Sequence, residues 1–193
     1  MSSKFFAILS RMKYINRWGL MRNTIVENIS EHSLETAFIA HLLAVLRNKR
    51  FGGNVNAERC ALLAMYHDTT EILTGDLPTP VKYFNPDIKK AYDAVEQTAI
   101  DKMISYLPDD IKSEYVSLFE KQERDEELWV LVKVADKISA LIKCIEERQM
   151  GNSDFKKAEK STLEAIRNMK IPEADMFIDE FIPYYNLTLD EQA

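Results

Sequence analysis

The chain has 193 residues, 46% of them apolar, with five glycines and six prolines, enough for one sizeable core and short for two. Two cysteines exclude a disulfide framework or a thiolate zinc cluster, and the formal net charge of −6 argues against broad binding to nucleic-acid polymers, which needs many Lys and Arg on phosphates. With no charged-then-apolar leader and no apolar run near the roughly 20 residues of a bilayer span, a soluble cytoplasmic protein away from the membrane is expected.

Helical periodicity runs along most of the chain, without sustained two-residue alternation of β-branched residues, so the fold class is all-α in a single domain, 1–193, ending in a short polar tail. Phe5, Phe6, Ile8, Leu9, Met12 and Ile15 form a first amphipathic helix that gives way near Arg17-Trp18-Gly19. Ser30 is expected to cap a second helix reaching about Asn48 and carrying His32 and His41. After the turn Phe51-Gly52-Gly53-Asn54, Asn54 or Asn56 caps a third helix through Leu73, with Gly75 ending it.

Asp76-Leu77-Pro78-Thr79-Pro80 reads as a stiff loop, because each proline removes a donor and restricts its predecessor. A helix over Asp87 to Leu107 stops at Pro108, and a shorter one carries Ile111, Tyr115, Leu118 and Phe119. Glu126 to about Met150 is a long apolar helix stopped by Gly151, and two more helices follow near Asp154 to Met169 and Glu173 to Phe181.

Three polar positions stand out against this background. His67 and Asp68 interrupt the apolar run Ala61 to Tyr66, and Asp136 lies inside Trp129 to Ile142. Burying a carboxylate there is costly unless a partner or a metal compensates. For Asp136 the competing explanation is an ion pair with Lys133 or Lys137. His32 and His41 lie nine residues apart, about half a turn out of phase, so they cannot share one mononuclear site. His41 keeps company with Leu34, Phe38, Leu42 and Val45 and reads as a core or partly exposed imidazole. His32, His67, Asp68 and Asp136 make a coherent mixed set of nitrogen and oxygen donors, suited to Mn²⁺, Fe²⁺, Co²⁺ or Zn²⁺. Glu71, on roughly the same helical face, can take a proton from a water beside such an ion.

These residues resemble the HD-domain metal-dependent phosphohydrolases. Ile15-Asn16-Arg17-Trp18, Glu31-His32-Ser33-Leu34, His67-Asp68-Thr69-Thr70-Glu71 and the run from Leu73 to Phe84 are similar, more narrowly, to the YfbR-type 5′-deoxynucleotidases. That resemblance implies hydrolysis of 2′-deoxyribonucleoside 5′-monophosphates with little base discrimination, one Co²⁺ or Mn²⁺ per subunit with Fe²⁺ or Zn²⁺ as alternatives, and a homodimer. It implies His32, His67, Asp68 and Asp136 as metal ligands, with His32, Asp68 and Asp136 also near the substrate. Arg17 would orient the phosphate, for which a planar guanidinium is apt, and Trp18 would wall the sugar, its alternative role being a core anchor. Asp76 would protonate the leaving 5′-oxygen or accept the 3′-hydroxyl. Leu77, Pro78 and Thr79 would complete the substrate loop, and Lys82 would be a second phosphate contact or a solvated loop lysine. Two other readings compete: the same site acting on a cyclic nucleotide, a dNTP or a guanosine polyphosphate, and a non-catalytic metal-stabilised nucleotide-binding module.

Overall fold

Capping side chains and glycines set the helix boundaries in the computed structural model, which describes residues 2–192. Among the described residues the regular structure is helical, with one isolated antiparallel bridge between Asn16 and Asn28. The first amphipathic segment divides into α1 (Phe5–Leu9) and a 3-10 turn over Ser10–Tyr14. α2 (Ile29–Arg50) is capped by Asn28 rather than Ser30. The Asn28 side chain accepts the Ser30 and Glu31 amides, and Glu31 reaches back to the Asn28 amide, a complete capping box two residues earlier than expected.

The third expected helix is broken. α3 (Ala57–Tyr66), capped by Asn56, ends before His67, and α4 (Glu71–Thr74) begins after a turn. The cause is local competition for carbonyls. The Thr69 hydroxyl donates to the Tyr66 carbonyl at 2.7 Å, His67 Nδ1 bonds the Ala64 carbonyl at 2.7 Å, and the Thr69 and Glu71 amides bond three residues back. His67 and Asp68 therefore sit at a helix end, where side chains can point away from the helix axis, rather than within a continuous helix. Gly75 then turns the chain at φ 75° and ψ 159°, a conformation open to glycine.

Only the first part of the proline segment is irregular, because α5 (Thr79–Lys82) places Pro80 in its first turn, where its missing amide is not needed. α6 (Pro86–Ser105), α7 (Lys112–Phe119), α8 (Glu126–Gln149), α9 (Lys156–Asn168) and α10 (Pro172–Glu180) follow the expected order. The expected polar tail instead contains a 3-10 turn over Ile182–Asn186, with Ile182 buried, and α11 (Leu189–Gln192). α8 is the central element, packed against α2, α3 and α9. Leu43, Leu63, Leu131, Ile138 and Ile142 are buried in this core, each contributing about 1.5–3 kcal/mol of burial. Cys60 and Cys144 are free and buried.

The irregular segment before α2 is tied to α8 by Glu147. Its carboxylate accepts the Thr24 and Ile25 amides at 2.9–3.1 Å, the Asn152 amide group at 2.8 Å and the buried Lys143 ammonium, which also donates to the Ile25 carbonyl. Burial opposes the charge of Glu147, but these donors outweigh it and bring its pKa from 4.5 down to about 2. The resulting stability is complete above pH 4.5 and is lost as pH falls through about 2. Glu147→Gln is expected to cost up to about 3 kcal/mol at pH 7 and to flatten the acid limb of stability. Urea titrations from pH 2 to 7 check this, and an unchanged acid limb would contradict it.

Candidate metal centre and active site

α2 delivers His32 to the core, where it is 1% exposed. Its Nδ1 lies 3.0 Å from Ser139 Oγ, whose hydroxyl donates to Glu35, so Ser139 accepts the Nδ1 hydrogen and Nε2 points the other way. At the end of α3, His67 Nδ1 bonds the Ala64 carbonyl, an acceptor only, which likewise assigns the hydrogen to Nδ1. Both Nε2 atoms are buried without a hydrogen-bond partner. Asp68 Oδ2 is 3.4 Å from the first and 3.2 Å from the second. Donor atoms of His32, His67 and Asp68 all lie within 4.8 Å of one another. Two orphaned imidazole nitrogens facing one carboxylate fit a divalent ion, with each second ring nitrogen already held by the protein.

Electrostatics favour positive charge at this point. Burial and Arg17 oppose protonation of His32, yet Asp136, Glu27 and Asp68 outweigh them and push its pKa up to about 9. Asp136, from the middle of α8, approaches from His32's side, with Oδ1 3.2 Å from His32 Nε2 and 3.9 Å from the Arg17 guanidinium. Burial opposes its charge, but His32, His67 and Arg17 hold its carboxyl well below the usual carboxylate range. Its ion pairs are with His32 and Arg17 rather than with Lys133 or Lys137. Asp136 nevertheless stands at the edge of the three-residue cluster rather than within it.

Arg17 joins this centre to a cleft. One guanidinium nitrogen donates to Asp68 Oδ2 at 3.2 Å, and Nε lies 3.3 Å from Glu27 Oε2 without aligning for a hydrogen bond. Trp18, at the unusual φ of 60°, donates its indole N–H to Glu27 at 2.8 Å and packs its ring on Phe155. Arg17, Trp18, Asp76, Pro78, Thr79 and Asp136 line a cavity of about 630 Å³, which is also lined by Ala140 of α8 and by Ala158, Ser161, Thr162 and Ala165 of α9. Leu77 belongs to the same loop but not to the cavity wall.

Glu71 opens α4, and its Oε2 is buried without a partner. Burial, then the charges of Asp68 and Asp76, push its pKa up to about 9. Burial also raises Asp76, against the opposing pull of Arg17. Lys82 does not line the cleft with Arg17. It lies 4.7 Å from the centre of the Tyr92 ring and faces a second cavity of about 900 Å³, also lined by His67 and Asp136. His41 is exposed, consistent with its opposite helical phase. Glu27, Ser139 and Glu35 support this site without belonging to the expected set. Ser139 follows Asp136 by three residues, a spacing that places it on the same face of α8, whereas no periodicity marks Glu27 in its irregular segment.

A family model described as 5′-deoxynucleotidase YfbR-like matches residues 4–185. The chain is 50% identical over 189 residues to a 5′-deoxynucleotidase of Vibrio vulnificus (strain YJ016), covering 98% of this chain and 97% of the relative. It is 51% identical over 192 residues to the 5′-deoxynucleotidase YfbR of Escherichia coli O127:H6, covering 98% and 95%. Among solved structures, an HD-domain phosphohydrolase from Listeria innocua superposes with a TM-score of 0.79 at 22% identity, over 98% of this chain and 91% of that one. The cyanophage S-2L HD phosphohydrolase DatZ, described as bound to dA and one catalytic Zn²⁺ ion, gives 0.66 at 18% identity, over 94% and 96%.

Proposed function

The chain belongs to the YfbR-like 5′-deoxynucleotidase family of HD phosphohydrolases, and from that premise we propose how its residues carry out the reaction. The protein is a metal-dependent phosphomonoester hydrolase that converts 2′-deoxyribonucleoside 5′-monophosphates to deoxynucleoside and phosphate. The observation carrying the assignment of roles is the pair of orphaned Nε2 atoms of His32 and His67 facing Asp68, with the Arg17 guanidinium bonded to that same carboxylate.

His32, His67, Asp68 and Asp136 would hold one divalent ion. When bound, that ion supplies Lewis acidity toward phosphoryl oxygens and water. Arg17 clamps the phosphate with its planar fork and offsets charge on the equatorial oxygens. The local guanidinium matters because the chain as a whole is anionic. Trp18, Asp76, Pro78 and Thr79 hold the sugar, while the small side chains of α9 leave room for any base. Glu71, whose buried carboxyl holds its proton at neutral pH in the absence of the ion, would accept the proton of the attacking water once a cation at the His-Asp centre favours its ionised form. Asp76, which lines the same cavity, would protonate the departing 5′-oxygen or accept the 3′-hydroxyl.

Co²⁺ or Mn²⁺ is the proposed ion, with Fe²⁺ and the Zn²⁺ described for DatZ as alternatives. The reading also includes a single HD domain over 1–193, a cytoplasmic location and a homodimer. Leu34 and Phe38 of α2, 48% and 67% exposed, offer apolar surface to a second copy, and no helix among the described residues is long and apolar enough to cross a membrane.

Phosphate release from dAMP, AMP, a cyclic nucleotide and dATP, after chelation and return of single metals, tests the reading. Release is expected from dAMP in preference to AMP, with the cyclic and triphosphate substrates poor. A higher kcat/KM for the cyclic nucleotide or dATP would overturn it.

A further inference from the structure

We propose that Glu27 is the positioning residue that sets Arg17 and Trp18 in register with the His32 side of the metal centre. The inference deepens the functional reading above and rests on it for the roles of Arg17 and Trp18. Glu27 lies five residues before His32, at the far end of the irregular segment that starts at Ile15, and its side chain is 12% exposed. Its Oε2 accepts the Trp18 indole N–H at 2.8 Å and stands 3.3 Å from Arg17 Nε. Its Oε1 is 3.6 Å from His32 Nδ1, outside the closer bond to Ser139. Its backbone carbonyl accepts the Arg17 amide at 2.9 Å. One residue thus holds both the main chain and the side chains of the Arg-Trp pair while facing a metal-ligand imidazole.

The chemistry calls for a carboxylate. The close partners of the Glu27 carboxylate, the Trp18 indole N–H and the Arg17 guanidinium, are donors, and an ionised acid offers two oxygens with no hydrogen of its own. A glutamine can keep one oxygen toward Trp18, but its amide hydrogens then face His32 and its charge toward Arg17 is gone. The bond to Glu27 and the contact with Phe155 hold Trp18 at φ 60°, a backbone region that a residue with a bulky side chain rarely occupies. Loosening the bond is therefore expected to move the indole, and with it the wall that meets the sugar.

Glu27→Gln tests this in three measurements on the full chain. Ion binding, followed by equilibrium dialysis with Mn²⁺ or Co²⁺, is expected to stay at wild-type stoichiometry. The kcat/KM for dAMP is expected to fall about 10–100-fold, the size of a lost charge-assisted hydrogen bond, and the dAMP-to-AMP preference to fall with it. The indole N–H resonance that disappears in Trp18→Phe, one of two in the chain, is expected to shift in Glu27→Gln. An unmoved resonance, an unchanged dAMP-to-AMP preference or loss of the ion would each overturn the positioning role. If Glu27→Gln does not fold, Trp18→Phe deletes the indole donor and keeps an aromatic, though smaller, side chain, and an unchanged preference there overturns the proposal. Wild-type protein inactive on dAMP would instead contradict the functional reading, since the resonance still tests the bond itself.

Discussion

Replacing Glu71 by alanine is expected to leave ion and nucleotide binding near wild type while lowering kcat by about 10²–10⁴-fold, the usual contribution of a positioned general base. Glu71 is separated from the donor trio by the turn after α3 and is not part of that trio. Its Oε2 is buried with nothing to bond, and burial together with Asp68 and Asp76 makes the carboxyl unusually basic, with a pKa up to about 9. Arg17 and Lys82 only partly offset that rise, so Glu71 becomes a proton acceptor when a cation bound at the His-Asp centre adds its positive charge and favours the ionised form. Single-turnover phosphate release and equilibrium dialysis of the ion separate the two properties. If Glu71→Ala lost the ion as well as turnover, Glu71 would have to be counted among the ligands.

Asp136→Ala is expected to lose both activity and the ion. Its affinity for Mn²⁺ or Co²⁺ should fall by at least the roughly 10–100-fold that removal of a supporting partner costs. Asp136 Oδ1 approaches His32 Nε2, one of the two orphaned nitrogens, to 3.2 Å. Stability provides a second readout, because an ion that binds only the folded chain raises Tm with its concentration. Wild-type protein should melt higher with added ion and Asp136→Ala should not. Full ion affinity in Asp136→Ala would show that His32, His67 and Asp68 suffice, and would reduce Asp136 to a partner of Arg17.

The helical fold was legible because period-3.6 apolar patterning and the Gly and Pro stops recur from Phe5 to Phe181. Side-chain competition for the backbone was not. Asn28 precedes the apolar stripe and cannot be told from a loop residue by periodicity, so the cap of α2 was expected two residues late. The apolar run before His67 continues the phase of α3, whereas the bonds of Thr69 and His67 to carbonyls three residues back end the helix there. Within the site, opposite helical phase separated His32 from His41, and the anomaly of Asp136 in an apolar helix marked it as a candidate ligand beside His32, whereas its ion pair with Arg17 carried no sequence signal. Glu27 carried no such mark. Its role depends on a segment folding back so that Arg17 and Glu27 meet through both main chain and side chain, a tertiary event outside the reach of local pattern.

The central claim is that one divalent ion at the His-Asp centre drives deoxynucleotide hydrolysis. Chelated protein titrated with Mn²⁺ or Co²⁺, with phosphate release from dAMP followed at each addition, tests it most directly. Release should be absent after chelation, rise with the ion to saturation at one equivalent, and stay absent throughout for His67→Ala. Undiminished release after chelation, or full recovery in His67→Ala, would contradict the account.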